Sequence, residues 1–146
     1  MTPALQHNIG AFISPVTSVF PQSSTGGTIN GSGIDRLAHN FPLSCVLHQI
    51  VGGDSGSPSA ISVQSTLQHS PDDSTWTNYT PDGAASAAAT AAVTTVNTGA
   101  GVAVDLSGAD RYLRVVTVVT LTGGTSPAAL VAADLIFGGE PLLPAA

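Results

Sequence analysis

Turn-forming clusters punctuate this chain at intervals of roughly ten residues, and that spacing restricts its fold more than any other feature. Gly52-Gly53-Asp54-Ser55-Gly56-Ser57-Pro58, Ser70-Pro71-Asp72-Asp73-Ser74, Ser107-Gly108-Ala109-Asp110 and Gly123-Gly124-Thr125-Ser126-Pro127 each combine the residues that stabilise reversals. Between them lie runs that suit a pleated surface. Ser44 to Val51 is apolar and β-branched at its end, and Ile61, Val63 and Leu67 alternate with Ser62, Gln64, Thr66 and Gln68. Val102 to Leu106, Arg111 to Thr122 and Ala128 to Phe137 supply three more strands. The mostly apolar character of Arg111 to Thr122 predicts that both of its faces are covered.

Thr75-Trp76-Thr77-Asn78-Tyr79 follows the acidic turn as the partner strand of a hairpin, with Trp76 expected on the core. The tract Gly83 to Ala92 has high helix propensity but no amphipathic stripe, so it reads as loop or frayed turn. Many short strands with no convincing helix predict an all-β fold, an antiparallel β-sandwich of jelly-roll-like form.

Residues 1–33 differ in character from residues 34–146. Pro3, Pro15, Pro21 and a Ser-Ser-Thr-Gly-Gly run interrupt any period, which predicts an extended N-terminal arm ahead of a sandwich domain. Yet this stretch carries Ile9, Phe12, Ile13, Val16, Val19 and Phe20, more large apolar groups than a solvated linker holds. They should be buried against something. Either they form the contact with a partner, or the arm folds back over its own domain as an edge strand.

Composition narrows the partner. At 146 residues with 42% apolar content the chain suits one domain with a real core. Three arginines and no lysine stand against nine acids, a net charge of −6 that repels phosphate backbones and argues against nucleic acid. Stretches such as Val115 to Leu121 fall far short of the ~20 apolar residues a spanning helix needs, and the N-terminus lacks a basic signal-peptide start. The expectation is a protein made in the cytoplasm, without a membrane partner. Cys45, alone and set in an apolar run, reads as a small core residue.

GDSGSP, residues 53–58, nearly reproduces the nucleophile loop of chymotrypsin-like proteases, with Ser55 as nucleophile. Ser55 stands too early for that fold. Of the upstream histidines only His7 precedes Asp35 and keeps the chain order of such a triad; a convergent triad using His69 stays open. Glycines, serines, an aspartate and a proline between two strand patterns are simply what a loop contains. His39, His48 and His69 lack the spacing of a zinc helix, and Asp72, Asp73 and Asp82 lack that of a calcium loop. Asp35-Arg36 and Asp110-Arg111 place opposite charges side by side, but sequence neighbours point apart in a strand, so each is expected to pair elsewhere or to be solvated. The expectation is therefore no catalytic residue, no metal and no cofactor.

The run AVDLSGADRYLRVVTVVTLTGGTSPAALVAADLIFGG (Ala103–Gly139), preceded by LQHSPDDSTWTNY (Leu67–Tyr79), resembles small structural proteins of tailed bacteriophages. The match covers roughly half the chain and consists of fold-forming residues. The resemblance implies a virion role, most like a capsid cement or decoration protein on the outer surface of the head. Its partner would then be the major capsid protein, bound through the arm residues named above, with self-association as a homotrimer. A tail or head-to-tail adaptor component is the main alternative. A carbohydrate-binding module of a fibre is weaker, because aromatics make up only 5% of the chain.

Overall fold

The computed structural model describes residues 9–139. Nine strands form two antiparallel sheets: β1 (Ser14–Ser24), β2 (Gly27–Asn30), β3 (Ile34–Asp35), β4 (Ser44–Ser55), β5 (Ala60–Ser70), β6 (Thr77–Asn78), β7 (Thr98–Asp105), β8 (Tyr112–Thr122) and β9 (Ala128–Gly138). One sheet has the order β1-β9-β4-β7, the other β2-β8-β5-β6, with the small β3 also on β8. Setting β3 aside, the first strand pairs with the last, the second with the last but one, and so inward to the β5-β6 hairpin. That nesting is a jelly roll, and the expected sandwich is what forms.

The division at residue 33 does not hold. Ser14–Ser24 is the edge strand β1, paired antiparallel with β9 from Ser14↔Phe137 to Ser24↔Ala129, and β2 precedes the boundary as well. The edge-strand alternative is the one observed for this segment. Its period is hidden in the sequence because register shifts flank Val19, so that Ser18 and Val19 are both buried. Pro15 and Pro21 are tolerated because an edge strand has amides without ladder partners. Ser18 then stitches the sheets together: its hydroxyl donates to the Ser32 carbonyl at 3.0 Å and accepts from the Val115 amide at 2.9 Å.

Alternation along β4, β5, β8 and β9 sends Leu47, Val51, Val63, Leu67, Val115, Val119, Val131 and Leu135 inward, all essentially without solvent contact. Two apolar clusters result, one around Leu47, Leu67, Val115 and Leu135, the other around Val51, Val63, Val119 and Val131. Between them runs a layer of smaller or polar residues, Ala133, Gln49, Ser65 and Thr117, each fully buried. Two hydrogen bonds tie the layer: Gln49 Nε2 donates across the sandwich to the Val63 carbonyl at 2.7 Å, and the Ser65 and Thr117 hydroxyls meet at 2.8 Å between the neighbouring strands β5 and β8.

Several local expectations need correction. Trp76 is only half-buried and belongs to neither cluster; the guanidinium of Arg114 lies 4.5 Å from its ring centroid. Tyr79 occupies the core position instead, 2% exposed, its hydroxyl donating to the Asp105 carbonyl. The alanine-rich tract Gly83–Ala92 is loop, as expected, with an isolated bridge from Ala89 to Thr66 and, just beyond the tract, one from Val93 to Val63 on the free side of β5. β8 is not covered on both faces, since Val118 remains 45% exposed. Cys45 is buried as expected, and desolvation pushes its thiol up to about 12.

The side-by-side charges do separate. Asp35 receives a two-pronged contact from Arg111, at 2.9 and 2.7 Å, which holds its carboxyl below the ordinary value of 3.8. Backbone amides do the same for Asp72 and Asp105, chiefly those of Thr75 and Ser107. A carboxylate depressed in the folded state stabilises fully above its unfolded value and loses that contribution as pH falls through the folded one. Thermal melts should therefore show falling stability from about pH 5 to about pH 3, with a shallower fall for Asp35→Asn than for the parent protein.

Candidate interaction surface

The outer face of the β1-β9-β4-β7 sheet has nothing from the described residues packed on it, and its side chains fall into rows set by the strand register. Cross-strand neighbours Pro15, Ile136, Val46 and Ala103 make one apolar row. Ala132, Ile50 and Gly99 make another, with Leu130 beyond it on β9. Between the two lies a polar row, Thr17, Asp134, His48 and Gly101, in which His48 Nδ1 is 3.9 Å from Asp134 Oδ1. Leu130 is 53%, Ile50 43% and Val46 38% exposed. A sheet face this apolar is unusual on an isolated domain, which makes it the candidate contact surface.

Shape adds to the pattern. A shallow open hollow of about 570 Å³ lies beside the first row, lined by Ile13, Leu43, Val46, Ala103 and Ile136 among others. A second hollow lies between Pro21, Ile50 and Leu130. Each is wide enough to receive a partner's apolar side chain.

The six arm residues divide. Val19 is 1% exposed and Val16 packs beside it on the core, so both hold the sandwich together and neither is available to a partner. Ile9, Ile13 and Phe20, at 64%, 40% and 60%, remain open, and Phe12 is half-buried. What the arm-centred expectation missed are Val46, Ile50, Leu130 and Ile136. Their signal was present: β4 and β9 are apolar at both parities, which a strand needs only when both faces are to be covered.

No catalytic arrangement surrounds Ser55 among the described residues. Ser55 ends β4 opposite Ala128, and the hollow beside it is lined by Ser23, Gly53, Asp54, Ala128, Ala129 and Leu130, without a histidine. His69 is engaged 3.0 Å from Asp110, His48 faces Asp134, and His39 lies tilted against the Phe137 ring; His7 lies outside the described residues. Treatment with a serine-directed fluorophosphonate should leave Ser55 unmodified, read by intact-mass spectrometry; stoichiometric labelling there would reveal a nucleophile. No group of three or more His, Cys, Asp or Glu side chains converges as a metal site among the described residues.

The remaining chemistry is spoken for. Arg36 is buried, Arg111 is paired with Asp35, and Arg114 lies over Trp76 while donating to Gln68. Trp76 and Tyr112 each carry an arginine over the ring, and Tyr79 is buried. No helix among the described residues is long and apolar enough to cross a membrane.

No protein-family model matches the chain, and no curated protein matches it. Among solved structures, the chain is similar to the crystal structure of SPBc2 prophage-derived protein YomS, at 14% identity and a TM-score of 0.42 over 85% of this chain and 94% of that one. At that level of superposition the likeness decides nothing about role, which rests on the surface itself.

Proposed function

We propose that this protein is a structural component of a tailed-bacteriophage virion, a capsid cement that binds the outer surface of the head and joins neighbouring major capsid subunits. The observation that carries this reading is the paired apolar rows on the outer face of the β1-β9-β4-β7 sheet. They are a two-stripe surface suited to lie across a seam between subunits, with the Asp134-His48 row available for polar contacts between them. The resemblance of the Leu67–Tyr79 and Ala103–Gly139 segments to phage structural proteins supports the virion setting. An arginine set turned inward or paired, with a net charge of −6, suits a shell exterior where affinity for packaged DNA would serve no purpose.

Purified protein added to expanded empty heads that lack it should decorate the whole head surface, seen by electron microscopy. Attachment at a single vertex or along the tail would overturn the cement reading in favour of the adaptor. Deleting residues 1–30 would remove β1 and β2 from the sandwich, so contacts of this segment are tested by surface substitutions on the outer face.

A further inference from the structure

We propose that β7 is a self-pairing edge, on which a second copy of this chain docks its own β7 antiparallel about a two-fold axis near Gly101. This inference does not depend on the virion assignment.

The sandwich has four lateral edges, and three are blunted. β1 carries Pro15, Pro21 and two register shifts. On the far side of β8, β2 has four residues and β3 two, with a break between them. Beside β5, β6 has two residues and the following segment makes only isolated bridges. β7 differs from all of these. Its eight residues, TGAGVAVD, pair with β4 from Thr98↔Val51 to Asp105↔Ser44 without a register shift, and contain no proline. Positions 98–104 have no charge. Such an edge is a ready template for a further strand.

The direction of its free groups follows from alternation. The amide of Leu106 donates to the Leu43 carbonyl on the β4 side, so Val104, Val102 and Ala100 also turn their backbone groups toward β4. Gly99, Gly101 and Ala103 therefore present amides and carbonyls at the open edge, where no described residue bonds to them. The Asp105 carbonyl, on the same side, is already taken by the Tyr79 hydroxyl.

A second β7 centred on Gly101 satisfies all three residues: Gly101 meets Gly101 of the other copy, and Gly99 meets Ala103 in both directions. Asp105 then falls opposite Asn97, so no like charges face each other. Residues of the same parity meet, so the outer apolar rows continue across the two-fold. A ring of three closed through this sheet would instead require β7 to pair with β1. The prolines and shifts of β1 deny it a continuous ladder, so two-fold self-pairing is the closure this edge permits.

Sedimentation velocity at micromolar concentration should show a dimer. Gly101→Asp places carboxylates directly opposite each other, and an added Cβ there meets nothing nearer than Val46 Cγ1 at 3.5 Å, so the fold has room for it. Its dissociation constant should rise at least about tenfold, with the circular dichroism of the parent retained. Ala103→Pro removes one edge donor and should do the same. In the parent protein, hydrogen exchange should be slow at Gly99, Gly101 and Ala103 and fast in Gly101→Asp. A parent protein that sediments as a monomer or a trimer overturns the proposal. So does a dimer indifferent to both substitutions, or one with fast exchange at these three amides.

Discussion

Arg36→Ala should lower the free energy of unfolding by about 3–5 kcal/mol, as much as emptying a large core position. The side chain is 2% exposed, and it donates to four main-chain carbonyls: those of Ala109 and Asp110 through one terminal nitrogen, those of Pro42 and Leu106 through the other. These carbonyls belong to two connections, one between β3 and β4 and the other between β7 and β8. The guanidinium thus binds together loops far apart in sequence at one end of the sandwich. Desolvation opposes its charge, and carbonyl dipoles offset that cost in place of a carboxylate. Alanine leaves the carbonyls buried and unanswered. Domains of this size are commonly stable by only about 5–15 kcal/mol, so urea titration should show the midpoint falling steeply or the transition lost. Arg36→Lys should recover little, because one ammonium cannot reproduce the guanidinium fork. A variant within about 0.5 kcal/mol of the parent would show that the four contacts contribute nothing net.

Phe20→Ser combined with Leu130→Ser should weaken attachment to heads about 30- to 150-fold per site while leaving the fold intact. Full burial of such a side chain contributes ~1.5–3 kcal/mol. With 60% and 53% of their surfaces open, roughly half of that remains to be gained on binding, or about 2–3 kcal/mol for the pair. The same openness means that little stability is lost in the isolated protein, which melting curves should show as an unchanged midpoint. Density of decoration, measured against protein concentration, gives the affinity. Binding unaffected by both changes would remove Phe20 and the Leu130 end of the outer face from the contact, and with them a main support of the cement reading.

Strand existence was legible because two independent signals agreed. Gly, Pro and Asp clusters marked the reversals at Ser70–Ser74, Ser107–Asp110 and Gly123–Pro127, and the intervening runs carried the β-branched residues of β4, β5, β8 and β9. β1 failed that test because its bulges destroy the period-2 pattern that identifies a strand. Trp76 was misplaced for a different reason: size predicts burial only on average, and a half-exposed ring under Arg114 is as well satisfied as one in the core. The apolar parity of β4 and β9 held the clue to the interaction surface, yet a doubly apolar strand looks the same whether its own chain or another molecule covers it.

The order of residues alone determined that this chain is an all-β sandwich, because turn chemistry and alternation are local properties and need no knowledge of distant partners. Only the tertiary structure decided that β1 closes the sheet beside β9, that Asp35 meets Arg111, that Arg36 is enclosed by carbonyls, and that the outer rows of β4 and β9 lie open. Those outcomes depend on which strands become neighbours and in what register. Pairing across a hundred residues is selected by the joint burial of many side chains, and no short stretch of sequence records it.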